Sequence, residues 1–201
     1  NPADGHWIGI AARSTVFVYN KDLLPADQPP KSLLDLAKPE WKGRWAASPG
    51  GADFQAIVGA LLQLKGEQVT ADWLAGMKEN ATAIRGNSAA MKAVNAGQIP
   101  GAVIYHYYYF GDQAKTGENS KNVTVYYFRN QDPGAFVSVS GGGVLASSKN
   151  QKDAQAFIKW VTGKGGQTVL RDGDSFEHAK VEASTLDSKK VIELMTKANL
   201  L

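Results

Sequence analysis

The chain reads as an α/β layer sandwich. Short stretches rich in β-branched and aromatic residues alternate with segments of three-to-four apolar spacing almost from end to end, the pattern of strands alternating with helices. No internal repeat or low-complexity tract breaks that alternation. A third observation is the run His106-Tyr107-Tyr108-Tyr109-Phe110, which follows Ala102-Val103-Ile104-Tyr105 and puts five rings at the carboxyl end of a buried strand. Open α/β sheets place their ligands in the crevice beyond those strand ends.

In chain order, Trp7 to Tyr19 is expected as a long strand interrupted at Ala11-Ala12-Arg13-Ser14. Within it Arg13 stands among apolar neighbours, either as a snorkelling surface residue or as a fork for a carboxylate, carbonate or phosphate. KSLLDLAK predicts a short helix stopped before Pro39, and Trp45-Ala46-Ala47 a strand after the turn at Gly43. The glycine-bearing SPGGADF opens a helix from about Asp53 to Lys65, ended by Gly66. No Gly-Lys-Ser/Thr follows, so the loop is not a nucleotide P-loop, and the plainer reading is a helix start with Asp53 near the N-cap.

Thr70 is expected to cap a helix through Trp73, Leu74 and Met77, and Asn87-Ser88 another through Met91 and Val94, with a short strand from Ala81 between them. After strand 101–105 come a strand over NVTVYYF and a turn plus strand over QDPGAFVSVSGGGVLAS, whose three glycines suit close backbone approach. Asn150 to Trp160 has a helical apolar stripe that fades at Gly163 to Gly166. Beyond Leu170 the pattern weakens until a last helix, Ser188 to Ala198.

The 201 residues suffice for one large domain or two small ones with a substantial core. No apolar run approaches the roughly 18 residues of a membrane span. The net charge of +3 is dispersed among acids rather than gathered into a stripe, which argues against nucleic acid while suiting anionic ligands. Absence of cysteine excludes disulfides, zinc–thiolate sites, cysteine-ligated clusters and thiol catalysis. The start, Asn1-Pro2-Ala3-Asp4-Gly5-His6, lacks Met and a signal-like apolar stretch and is expected of a processed protein or, the reading favoured, a fragment that begins inside a longer one.

Three readings fit the tyrosine run: a core or rim cluster, a stacking platform for a sugar or base, and a metal site. Adjacent tyrosines in the first turn of a helix can aim two phenol oxygens at one point, where the helix N-terminus favours negative charge. Phenolate is a hard donor, and a phenol with an ordinary pKa of about 10 ionises near neutrality only beside a strong cation such as a metal ion. Catalysis has no comparable support. No Gly-x-Ser-x-Gly elbow or HExxH motif is present, the three histidines (His6, His106, His178) lie far apart, and no acid pair is marked by spacing, so a binding protein is expected rather than an enzyme.

The segments WIGIAARSTVFVYNKDLLP, KSLLDLAKPEWKGRW, GNSAAMKAVNAGQIPGAVIYHYYY and RNQDPGAFVSVSGGGVLASSKNQKDAQAFIKWV resemble the periplasmic ferric-iron-binding proteins of the FbpA type, solute-binding components of ABC importers. The resemblance covers about residues 5–170 and resumes over 188–201. PEWKGR, the tyrosine pair after a strand, and QDPGA before a glycine-rich strand are its specific parts. It implies a lobe of the class II periplasmic-binding-protein fold, a mixed sheet flanked by helices. Residues 1–20 would form a hinge strand, 21–170 the lobe with the tyrosine site, 171–187 a shortened crossover, and 188–201 a helix packed on the lobe.

By the same resemblance Tyr107 and Tyr108 fall on paired phenolate ligands of Fe(III). Arg13, Gly51, Ala52, Asp53 and Asn87 fall where a synergistic anion, carbonate or phosphate, is held. Gly51 replaces a Ser and Tyr105 an Asn of phosphate-using members, and Phe54 stands where one branch has a third tyrosine. The implied partners are ferric iron and the membrane permease of an ABC importer, in the periplasm. A missing N-terminal lobe or a second copy of the chain would complete the site, and the isolated piece would hold iron weakly. Two rival expectations are a solute-binding protein for an oxyanion or small organic solute, and an isolated lobe with no solute of its own.

Overall fold

The structure, a computed structural model, describes residues 5–174 and 188–200. The chain forms two compact units: Ser14–Phe136 with Thr185–Leu201, and Asn1–Arg13 with Val137–Ser184. Residues 137–170, expected with the tyrosine-bearing lobe, thus cluster with the beginning of the chain.

The larger unit is built on a mixed sheet. Its strands are the second half of β1 (Ile8–Asn20), then β2 (Trp45–Ala47), β3 (Ala81–Ala83), β4 (Gly101–Tyr105) and β5 (Val123–Tyr126), in the order β3-β2-β4-β1-β5. β2 runs parallel to β3 and β4, and β1 antiparallel to β4 and β5. The period-two pattern sorts side chains to two faces. Phe17, Tyr19, Trp45, Val103 and Tyr105 enter one core with α1 (Ala52–Asn80) and α6 (Ser188–Lys197). Val16, Val18, Ala46, Ala102 and Ile104 enter the other with α2 (Asn87–Asn95). Apolar burial on both faces explains why β4 reads as a continuous apolar run rather than an alternating one.

Several sequence expectations are corrected here. β1 runs unbroken through Ala11 to Ser14, because it finds β6 (Val137–Gly142) as partner in the smaller unit and β4 and β5 in the larger. KSLLDLAK forms the expected short helix, Leu33–Ala37, of the 3-10 type and ended at Lys38 before Pro39. Two of its carbonyls are taken by indoles: Trp73 Nε1 donates to Leu33 O at 2.8 Å and Trp45 Nε1 to Leu36 O at 3.1 Å. α1 breaks at Gly66, whose φ of 82° and ψ of 174° suit glycine alone, as the predicted helix end required. Thr70 lies inside the continuing helix and donates its hydroxyl back to Gly66 O at 2.8 Å instead of capping.

The N-cap of α2 is Gly86, not Asn87 or Ser88, because the Asn87 side chain is engaged elsewhere. β5 stops at Tyr126, short of Phe128, which turns to pack its ring edge-on against Tyr126. In the smaller unit, α4 (Gln151–Thr162) ends at Gly163 and a further helix, α5 (Lys164–Asp174), follows where the sequence pattern faded. Gly141 there allows the expected close approach: a Cβ would lie 2.3 Å from Trp7 Cε3. The predicted crossover 171–187 begins within α5, and its remainder, 175–187, lies outside the described residues.

Candidate functional site

β2, β3 and β4 run in one direction, and each is followed by a helix whose first turn stands at the strand's carboxyl end: α1 after β2, α2 after β3, and α3 (His106–Lys115) after β4. Three helix N-termini, with their first-turn N–H groups and positive dipole ends, therefore gather at one edge of the sheet. Side chains from all three meet on a single atom, Asp53 Oδ2. It accepts from Asn87 Nδ2 at 3.0 Å, from the Tyr108 hydroxyl at 3.2 Å and from the Tyr107 hydroxyl at 3.4 Å.

Local sequence explains each placement. Gly51 is the N-cap of α1 in extended conformation, so Ala52 and Asp53 begin the helix and the carboxylate falls in its first turn, where the dipole favours it. Tyr105 ends β4 as the N-cap of α3, which puts Tyr107 and Tyr108 at successive first-turn positions. Their rings stack with centroids 4.2 Å apart and an interplanar angle of 29°. Tyr105 itself is fully buried, and its hydroxyl donates to the backbone carbonyl of Asp53 at 3.3 Å. Below them, Ser48 Oγ accepts from the Gly86 N–H at 3.0 Å and fixes the loop before α2 against the loop before α1.

Of the residues singled out from sequence, Asp53, Asn87, Tyr107 and Tyr108 are thus brought together, with Gly51 and Ala52 leading into the same helix start. Arg13 belongs to the other unit, where its Nη2 donates to Ser138 Oγ at 3.1 Å. Two participants were not legible as such. Tyr105 read as a strand residue and as the replacement of an Asn, and His106 as one ring of the run beside the pair. Yet the ring of His106 is fully buried and its Nδ1 accepts from the Ser14 N–H at 3.0 Å. Among the described residues no group of three or more His, Cys, Asp or Glu is placed to hold a metal ion. Any cation at this edge would meet phenol and carboxylate oxygens, a hard donor set that suits a small, highly charged ion and offers nothing to a soft one.

The model of the bacterial extracellular solute-binding protein family matches residues 1–194. The chain belongs to that family. It is 64% identical to the Fe(3+)-binding periplasmic protein of Serratia marcescens, with all of this chain and 65% of that protein covered. Against the major ferric iron-binding protein of Neisseria meningitidis it is 36% identical over 164 residues, 82% of this chain and 50% of that one. The chain therefore spans between half and about two thirds of the length of these relatives. Iron-bound HitA from Pseudomonas aeruginosa superposes with a TM-score of 0.90 at 32% identity, covering 99% of this chain and 71% of HitA. Apo FutA2 from Synechocystis, at 23% identity and a TM-score of 0.82, shares the fold. These relatives are binding proteins, and the mixed sheet flanked by helices is their architecture.

Proposed function

We propose that this chain binds ferric iron as the solute-binding component of an ABC iron importer in the periplasm, with Tyr107 and Tyr108 as phenolate ligands. The observation that carries the reading is the convergence of both phenol oxygens on Asp53 Oδ2 at the N-termini of three helices. Iron(III) takes phenolate and carboxylate oxygen in preference to nitrogen or sulfur donors. Loading releases the two phenol protons, and the helix N-termini offset the resulting negative charge. The names of the relatives, ferric-binding proteins of the periplasm, support the same cargo.

Asp53 has two roles open to its geometry. Its carboxylate is a third hard oxygen beside the phenols, and it occupies the place where carbonate or phosphate would otherwise accept from Asn87 and the helix N–H groups. The backbone at Gly51 and Ala52 and the side chain of Asn87 form the anion-receptive edge beside Asp53, and Arg13 is proposed for the anion on the chemistry of its guanidinium alone. Remaining coordination positions belong to water, an anion, or groups outside this chain, contributed by a further lobe or a second copy. No enzymatic step is proposed.

The test is a visible absorption titration of the chain with chelated ferric iron, run with carbonate and with phosphate. A broad tyrosinate-to-iron band that disappears in the double variant Tyr107→Phe, Tyr108→Phe is expected. Undiminished iron binding by that double variant would refute the assignment.

A further inference from the structure

We infer that His106 is a positioning residue, which ties the first turn of the tyrosine helix to the point where β1 passes from one unit into the other. The inference rests on the reading of Tyr107 and Tyr108 as the metal site. Its geometric basis is the register of β1 on β4, which pairs Thr15 with Tyr105. Ser14 therefore stands opposite His106, where the β4 backbone has already turned into α3 and no longer offers a ladder carbonyl. The Ser14 N–H donates to His106 Nδ1 at 3.0 Å instead. A side chain thus continues the ladder by one rung.

The ring that does so is fully buried, edge-on to Tyr107 and Phe110 with centroids 6.4 and 6.0 Å away. Accepting at Nδ1 places the imidazole proton on Nε2. One residue further on, the Thr15 N–H and hydroxyl both donate to the Phe136 carbonyl, at 3.0 and 2.9 Å. Ser14 and Phe136 are the residues at the first two of the three points where the chain passes between the units. These two crossings are therefore fastened to each other through Thr15, and the first of them to the helix of the phenol pair through His106. A change at the tyrosines on metal loading reaches these two crossings through the adjacent backbone and ring of His106 and then the hydrogen bonds of Ser14 and Thr15.

The experiment compares the full chain with His106→Asn and His106→Leu. Asn keeps an acceptor oxygen near the place of Nδ1; Leu keeps apolar bulk and loses the acceptor. Without metal, hydrogen exchange at the Ser14 amide is expected to quicken about tenfold in the Leu variant and to stay within about threefold of the parent in the Asn variant. In the ferric titration the Leu variant binds about tenfold more weakly, the Asn variant regains most of the loss, and iron slows exchange at Ser14 and Thr15 in parent and Asn variant only. Unchanged Ser14 exchange in the metal-free Leu variant overturns the inference, as does iron binding and iron-induced slowing equal to the parent's. If the Leu variant does not fold, a folded Asn variant with an unprotected Ser14 amide overturns it too. A parent without the visible band defeats the metal reading, and the metal-free exchange then decides the tether separately.

Discussion

The Tyr108 hydroxyl donates to Asp53 Oδ2 across 3.2 Å, between the first turns of two helices that follow neighbouring parallel strands. Tyr107 and Asn87 reach the same oxygen. An added anion held by these donors would have to take the place of that carboxylate, which in the proposed reading supplies the charge that the resemblance assigns to carbonate or phosphate. Asp53→Ala is therefore expected to make ferric binding depend on added anion. Carbonate or phosphate should strengthen binding by the variant about tenfold or more, and by the parent less than about threefold. Titrations at the visible band over a range of anion concentrations measure both, and equal dependence in the two proteins would remove Asp53 from this role.

The site was legible in sequence as far as residue types and local placement could carry it. Two tyrosines after an apolar run had to fall in the first turn of a helix at a strand's carboxyl end, and Asp53 and Asn87 had to fall near helix starts. What the sequence does not contain is that four groups spread from Asp53 to Tyr108 meet on one oxygen, since that depends on the parallel order of β3, β2 and β4. Long-range hydrogen bonds account for other differences. The 3-10 form of the short helix Leu33–Ala37 is fixed by indoles of Trp45 and Trp73, and the buried hydrogen bond of His106 comes from a strand 92 residues earlier. The break at Gly66, by contrast, was readable because its backbone conformation needs glycine.

Gly101 opens β4 opposite Tyr19, and a Cβ there would lie 2.1 Å from Cζ and 2.6 Å from Cε1 of Phe17. Phe17 cannot yield easily, being fully buried with Trp41 edge-on at 5.6 Å. Gly101→Ala is expected to lower stability by about 1–3 kcal/mol through overpacking. Urea denaturation should give a lower midpoint with an unchanged slope. Adding Phe17→Leu should recover part of the loss, since the ring is the obstacle; a double variant as unstable as the sum of the singles would place the strain in the backbone instead.

Asp112, about one turn beyond Tyr108 in α3, provides a pH test of the fold. Burial pushes its carboxyl up, but hydrogen bonds from the Ser120 hydroxyl and from the side chain and backbone N–H of Asn119, with the nearby Lys92 charge, outweigh it and hold it below the usual value. A carboxyl held lower in the folded than in the unfolded chain stabilises the fold above the unfolded pKa of about 4, and that stabilisation is lost as pH falls through the folded value. Ser120→Ala removes the foremost of these hydrogen bonds while leaving the carboxyl in place. The variant should therefore be less stable than the parent at pH 7, and the gap should narrow as the pH drops below about 4, where protonation removes the charge that Ser120 answers. Urea midpoints of both proteins at pH 7 and in acid measure it. A gap of the same size at both pH values would mean that the fully buried Ser120 acts by packing and by its bond from Gln113 Nε2 rather than through the Asp112 charge.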